Sequence, residues 1–164
     1  MAKWGNVDFQ QFKKFAKKLE KLQKADFDKF CEQAAKEIAA RMLAKVIKRT
    51  PVGVYPEEGK MGGTLRRGWT AKTAAEAEGG GNANAKAYAE SLIVRKVGNM
   101  YEVELINPVN YASYVEYGHR TANHKGWVKG RFMMTISADE VERQAPKVIE
   151  KKLMKFLGEV FDGN

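Results

Sequence analysis

Tyr111-Ala112-Ser113-Tyr114-Val115-Glu116-Tyr117-Gly118-His119-Arg120 sets three tyrosines at a spacing of three, which lines their side chains along one side of a short helix. Glu116 sits among them. Gly118 is expected to stop the helix in a left-handed C-terminal cap, because glycine takes positive φ without a Cβ penalty. The loop beyond closes on Gly126-Trp127-Val128-Lys129-Gly130-Arg131-Phe132. A short aromatic helix ended by glycine and followed by a basic, tryptophan-bearing loop has the makings of a docking surface or a packing seam. It does not look like a catalytic arrangement. Tyr111, Ala112 and Val115 are expected to face the interior, as is Trp69.

Immediately upstream lies the clearest strand signal. Leu92 to Val97 and Met100 to Ile106 flank Gly98-Asn99, a two-residue loop with glycine first, which suits a type II′ hairpin turn. That register pairs Val97 with Met100, Arg95 with Glu102 and Val94 with Val103, and it sorts charge from apolarity between the two faces. Further back, Ala74 to Ala89 is rich in alanine, glycine and asparagine around Gly79-Gly80-Gly81, and is predicted to be a mobile loop. Leu65 to Thr73 reads as a turn feeding a short strand, and Val52 to Gly63 as a loop without periodicity.

Helices flank this middle. The first is expected to begin at Asp8, with a Val7–Phe12 staple and an apolar stripe of Phe12, Phe15, Leu19 and Leu22. Lys24-Ala25 breaks it. Asp26 caps a longer second helix whose buried side is Phe27, Phe30, Cys31, Ala34, Ile38, Met42 and Val46, and Thr50-Pro51 ends that helix. Downstream, Ser137 is the predicted cap of a final helix with a stripe from Val141 to Val160, which Pro146 should kink or split. The predicted class is α+β: a small antiparallel sheet packed by N-terminal helices and a long, Pro-kinked C-terminal helix. One domain is expected over 1–164, comprising N-terminal helices at 1–49, loops and sheet at 50–107, the aromatic helix and basic loop at 108–132, and the last helix at 137–161.

A chain of 164 residues can bury roughly two-thirds of its unfolded surface without covalent staples. Its single cysteine, Cys31, excludes an internal disulfide and falls on an apolar helix side, as a small buried hydrophobe would. Residues 1–5 lack the apolar core of a signal peptide and no stretch reaches membrane-spanning length, so a soluble protein made in a cytoplasm, with no membrane partner, is expected. The net charge of +9 is concentrated in residues 1–50, with 13 Lys and Arg against 6 Asp and Glu, while residues 101–164 carry nine of each. A lysine-rich solvated face accounts for that excess. A basic surface for nucleic acid is the alternative.

Candidate chemistry is sparse. Glu116-x2-His119-x4-His124 could be imagined as a metal site, but Gly118 interrupts the helix before the second histidine. Gly79-Gly80-Gly81 lacks the lysine and hydroxyl of a phosphate loop. No cofactor and no enzymatic activity are expected. Arg66-Arg67 before Trp69, and Arg120 with Lys125, Trp127, Lys129 and Arg131, mix cations with aromatics, a mixture suited to protein interfaces and to nucleic-acid stacking alike. Arg67, Arg120, Lys125, Trp127, Lys129 and Arg131 are the candidate interface residues.

Taken in order, Thr50-Pro51-Val52, Gly63-Thr64-Leu65-Arg66, Asn107, Tyr111-Ala112 with Val115-Glu116-Tyr117-Gly118, and Gly130-Arg131-Phe132 resemble the pattern of one phage family. It is the gene-product-ten-like family of lambdoid and related tailed phages, whose members are head–tail connector, tail-completion or minor tail components. The resemblance runs from about Thr50 to Phe132, with a longer link between Val54 and Gly62 than the family usually has. It implies a structural protein of a virion or tail-like particle, and a final helix led by a phenylalanine. It also implies self-association as a ring, commonly a hexamer, that caps the tail tube as a terminator or joins head to tail. The implied partners are the tail tube protein or a neck connector, and nucleic acid is not expected to bind specifically.

Overall fold

The structure, a computed structural model, describes residues 9–23, 26–54, 59, 62–80 and 84–162. The expected Asp8 cap with its staple, the break at Lys24-Ala25, Gly81 and most of the Val54–Gly62 link lie outside the described residues. Helices α1 (Phe9–Gln23) and α2 (Phe27–Arg49) follow the apolar spacing. Asp26 caps α2 by accepting from the Lys29 N–H at 2.9 Å. Ala34, Ala39, Met42, Leu43 and Val46 form its buried side, whereas Phe30, Cys31 and Ile38 are half-buried and Phe27, in its first turn, is exposed. Phe27 and Phe30, at its start, meet the ring of Phe156 at 5.4 and 4.9 Å. The helix ends at Thr50 with extended backbone, as the residue before proline requires.

Two expectations fail next, for one reason. Leu65–Thr73 feeds no strand: it begins as α3 (Thr64–Gly68), because a helical turn places Leu65 and Trp69 four apart on one buried face. Residues 74–89 are likewise no continuous loop but hold α4 (Ala74–Glu78) and the start of α5 (Ala85–Ser91). Thr73 caps the first of these by accepting from Glu76 N–H at 3.2 Å, and Asn84 caps the second by accepting from Lys86 N–H at 2.9 Å. Alanine is the best helix former, and its small side chain lets the helices approach closely. Ala77 and Ala89 are buried accordingly, within a core of Leu43, Val46, Leu65, Trp69, Val109 and Met133.

The hairpin forms in the predicted register. Strands β1 (Val94–Val97) and β2 (Met100–Val103), shorter than expected, pair Val97 with Met100 and Arg95 with Glu102. Gly98 takes φ +61, as the first position of a type II′ turn requires. Lys96 donates to both carboxylate oxygens of Asp28 at 2.7 and 2.9 Å, and the Tyr101 hydroxyl donates to the same group, fixing the hairpin to the start of α2. The Lys96 hydrogen bond holds the Asp28 carboxyl below its ordinary value.

After α6 (Ala112–Tyr117) comes a second antiparallel ribbon where a loop was predicted: β3 (Gly118–Arg120) with β4 (Trp127–Lys129). The last helix, α7 (Met133–Asp162), starts one turn before Ser137. Ser137 is therefore not its cap. It lies buried inside the helix, where its hydroxyl donates to the Met133 carbonyl at 2.6 Å and accepts from Arg49 at 2.9 Å. Nor does Pro146 split α7, which runs through it. Proline faces solvent there, so water can take the carbonyl it leaves unpaired. Lys45 and Arg49 on α2 both bridge to Glu140 on α7, at 2.8 and 2.5 Å. The result is α+β, mostly helical, with two small two-stranded sheets and α7 packed along α2.

Candidate functional site

Glu116 is the centre of the aromatic helix, and it is buried, only 5 % exposed. One carboxylate oxygen accepts from the Met134 N–H at 2.8 Å. The other accepts from the Thr135 N–H and hydroxyl at 2.9 and 2.7 Å. These are orphan donors of the first turn of α7, and a carboxylate there also meets the positive end of the helix dipole. Both oxygens are thereby committed to capping a helix that starts in another part of the chain. The backbone extends the joint: Arg131 N–H donates to the Val115 carbonyl at 2.8 Å, and Phe132 N–H to the Glu116 carbonyl at 3.0 Å.

Two glycines make that approach possible. Gly118 has positive φ, as predicted, but its φ of +89 with ψ of 170 lies in the extended mirror region open essentially to glycine alone, not in the left-handed cap. A Cβ there would stand 2.4 Å from the Val128 carbonyl oxygen. On Gly130 it would stand 2.3 Å from the Glu116 carbonyl oxygen. Phe132, at the head of α7 where the resemblance put a phenylalanine, takes φ +48.

On this joint stands an exposed ridge. Paired residues of an antiparallel ribbon share a face, so Arg120 lies opposite Trp127, and Gly118 opposite Lys129, on one side. Trp127 is 63 % exposed. Arg120, Lys125, Lys129 and Arg131 are exposed as well, and so are Tyr114, Tyr117 and Phe132, with Tyr114 against the ring of His119 on the ribbon's other face. The connecting turn is tied: Thr121 N–H donates to the Gly126 carbonyl at 3.0 Å, and Gly126 N–H to the Thr121 hydroxyl at 2.9 Å. Tyr111 departs from expectation. It stands at the N-terminal flank of α6 and is 44 % exposed, while Ala112 and Val115 pack against the core.

The earlier motif residues form a second knot, away from the ridge. Thr50 is buried; its hydroxyl accepts from the Trp69 indole N–H at 2.7 Å and donates to the Val46 carbonyl at 2.6 Å. Arg66 donates twice to the Thr50 carbonyl, at 3.1 and 2.7 Å, closing the C-terminus of α2. Gly63 starts α3 with φ +93 and Leu65 is buried, whereas Pro51 and Val52 are exposed. Arg67, assigned to the interface from sequence, is instead turned inward: it donates to the Ala77 carbonyl at 2.7 Å, the Gly62 carbonyl at 2.9 Å and the Thr64 hydroxyl at 3.3 Å. Asn107 donates to the Leu65 carbonyl at 2.8 Å and accepts from Val109 N–H at 3.1 Å.

One feature escaped the sequence reading. Arg143, Lys147, Lys151 and Lys155 recur at a spacing of four along α7, and with Lys152 and the ion pair of Arg41 to Glu37 at 2.8 Å they line an open groove of about 780 Å³. The even balance of charge in residues 101–164 hid it; counting by helical face would have found it. Among the described residues no helix is long and apolar enough to cross a membrane, and no three His, Cys, Asp or Glu side chains cluster as a metal site.

Residues 13–118, more than half of the chain, match the family model described as "Bacteriophage HK97-gp10, putative tail-component". No curated protein and no solved structure matches.

Proposed function

We propose that this chain, which belongs to the HK97-gp10-like family of phage tail components, is a tail-completion, terminator or head–tail joining protein that caps the tail tube as a ring in the virion. The single observation that carries this is the ridge of Trp127 with Arg120, Lys129 and Arg131. Arg, Tyr and Trp supply most interface hot spots, and here they stand on a ribbon locked by Glu116, Gly118 and Gly130. A docking surface so held loses little entropy on binding. Its partner is the tail tube protein or a neck connector, and its work is shape and charge complementarity without turnover.

A tail component repeats around its tube, so its contacts with its own copies are head-to-tail and close, as a hexamer on a sixfold tube. Dilute protein is expected to be a monomer or weak oligomer and to close into a ring on the particle. Trp127→Ala with Arg131→Ala should leave the melting of the isolated protein unchanged and abolish incorporation into particles. Normal incorporation of that double variant removes the ridge as the joining surface.

The cationic groove of α7 favours a second function, binding of nucleic acid. Successive cations four residues apart stand roughly 6 Å apart along a helix. A binder using several of them shows a steep linear fall of log affinity with log salt, yet still binds near 0.15 M salt. Binding that vanishes at physiological salt leaves the groove a solvated face.

A further inference from the structure

Helix α1 is an arm with little of its own chain to lie on. Phe15, Leu19 and Leu22 recur along it at four and three as an apolar stripe, while Lys13, Lys14, Lys17, Lys18 and Lys21 take the other sides. From Lys13 to Gln23 every residue is exposed except Leu22, which is half-buried. Phe15 is 56 % and Leu19 48 % exposed. A separate helix of 15 residues is marginal in water, and such helices hold in proteins by burying their apolar face.

The same chain carries an open apolar groove of about 580 Å³ between α2, the β1–β2 hairpin and α7. Ala34, Ala35, Ala138 and Ala145 line it, and side chains so short leave room for a further apolar element. Glu142 is the only charged residue among those lining it, and it makes no ion pair among the described residues. A helix bearing five lysines around an apolar stripe suits such a groove, with the stripe on the alanines and a lysine reaching Glu142. The cationic groove of α7 repels the same helix. Within its own chain α1 lies past the groove. Lys18 stands over the ring of Phe161 at 6.0 Å, and Phe161 is twelve residues beyond Ile149, the last residue of α7 to line the groove, or roughly 18 Å along the helix.

We infer that the occupant of this groove is α1 of a second copy of the chain, each copy giving its arm to the next and receiving one from the copy before. The inference rests on the proposed ring for its head-to-tail sense and names the contact. A giver and a receiver on different parts of one surface make a heterologous contact, which closes when repeated around an axis. An arm about 22 Å long lets neighbouring bodies stand a body width apart, over about 30 Å for a radius of gyration of roughly 15 Å. In a sixfold ring the spacing of neighbours equals their distance from the axis, so bodies more than about 30 Å out leave an open centre. One arm in one groove is a small contact. Dilute protein therefore stays dissociated, and copies gathered on a particle engage because their effective concentration is high.

Cross-linking on the full chain tests this, because Cys31 is the only native cysteine and lines the groove. Leu19→Cys and, separately, Phe15→Cys are made in a chain carrying Cys31→Ser, and each is mixed with the parent. A short bismaleimide should then join the introduced thiol to Cys31 of the parent, read by mass spectrometry of assembled particles and of concentrated protein. Leu19→Cys made in the parent itself should give a ladder of joined chains. Phe15→Glu with Leu19→Glu should leave the melting of the isolated protein nearly unchanged, since both positions are exposed there. It should raise the concentration needed for assembly at least roughly tenfold. If rings form without the mixed link and the double variant assembles like the parent, the groove is not the contact and the ring stands without it. A bridge inside single chains in place of the ladder puts α1 in its own groove and overturns the exchange. Links that stop at pairs keep the arm in a neighbour's groove but overturn the head-to-tail sense, and the ring with it. If the parent never self-associates, in solution or on particles, ring and exchange fall together.

Discussion

Replacing Glu116 by glutamine changes a single oxygen for an amide nitrogen, and the effect can be worked from the joint. The carboxylate receives three hydrogen bonds from the first turn of α7. Glutamine keeps one carbonyl oxygen for Thr135 and turns an NH2 donor toward the Met134 N–H, so one bond becomes a donor–donor contact. Hydrogen bonds to a charged group contribute about 1.5–3 kcal/mol each when buried. Thr135 is exposed and Met134 half-buried, however, so water replaces part of what is lost. Loss of a cap costs about 1 kcal/mol, and loss of charge at a partly buried helix N-terminus up to about 2 kcal/mol. Glu116→Gln should therefore destabilise by roughly 2 kcal/mol, and Glu116→Ala, which also empties the space, by roughly 3 kcal/mol. For a domain of this size that lowers Tm by roughly 4–8 °C and up to about 12 °C. Urea unfolding checks it: the midpoint should fall at constant slope. Thr135→Val should add little once Glu116 is alanine, because its hydroxyl then has no carboxylate to donate to. A Glu116→Gln midpoint within about 0.5 kcal/mol of the parent would refute the joint as the anchor of α7.

Other outcomes follow from the same contacts. Gly118→Val should cost well above the about 1 kcal/mol of an ordinary glycine replacement, since φ is +89 and the new Cβ meets the Val128 carbonyl; parental melting would refute this. Thr50→Val removes the acceptor of the buried Trp69 indole N–H and should destabilise by about 1–3 kcal/mol, with Trp69→Phe relieving part of the loss. The Lys45 hydrogen bond, helped by the nearby Arg49, holds Glu140 below its ordinary value of 4.5. A depressed carboxyl stabilises the fold above its unfolded value and ceases to as pH falls through the folded one. Acid melts of the parent and Glu140→Gln should thus differ near neutrality and converge only as pH falls below 4.5 and through the depressed folded value.

What the sequence made legible was what repeats locally. The alternation of Leu92 to Ile106 with glycine at the turn fixed the hairpin register, and spacings of three and four marked the buried side of α2. What escaped it depends on partners far along the chain. Ser137 followed by Asp139 and Glu140 has every local mark of a helix start, yet Glu116 caps α7 from 18 residues upstream of Met134, and Glu140 serves Lys45 and Arg49 across the helices. Arg67 beside Trp69 had the composition of an interface, but three oxygen acceptors hold it inside. Alanine misled in the other direction: poor in apolar area, residues 74–89 nonetheless supply Ala77 and Ala89 to the core because closeness substitutes for size. Among the motif residues, Thr50, Arg66, Asn107 and Glu116 all bind their own chain. Most of them turn out to hold the fold, and the ridge they support consists of their neighbours.

The joint at Glu116 also has a mechanical side. α7 is a 30-residue rod, about 45 Å long at 1.5 Å per residue. Its first turn is gripped by the same side chain that sits under the ridge, and its far end carries Phe156 against the beginning of α2. A load on the ribbon at Trp127 and Arg131 therefore enters α7 through Glu116, and the bridges of Glu140 to Lys45 and Arg49 pass it into α2 within two turns, so the ridge and the α2–α7 seam bear it as one frame.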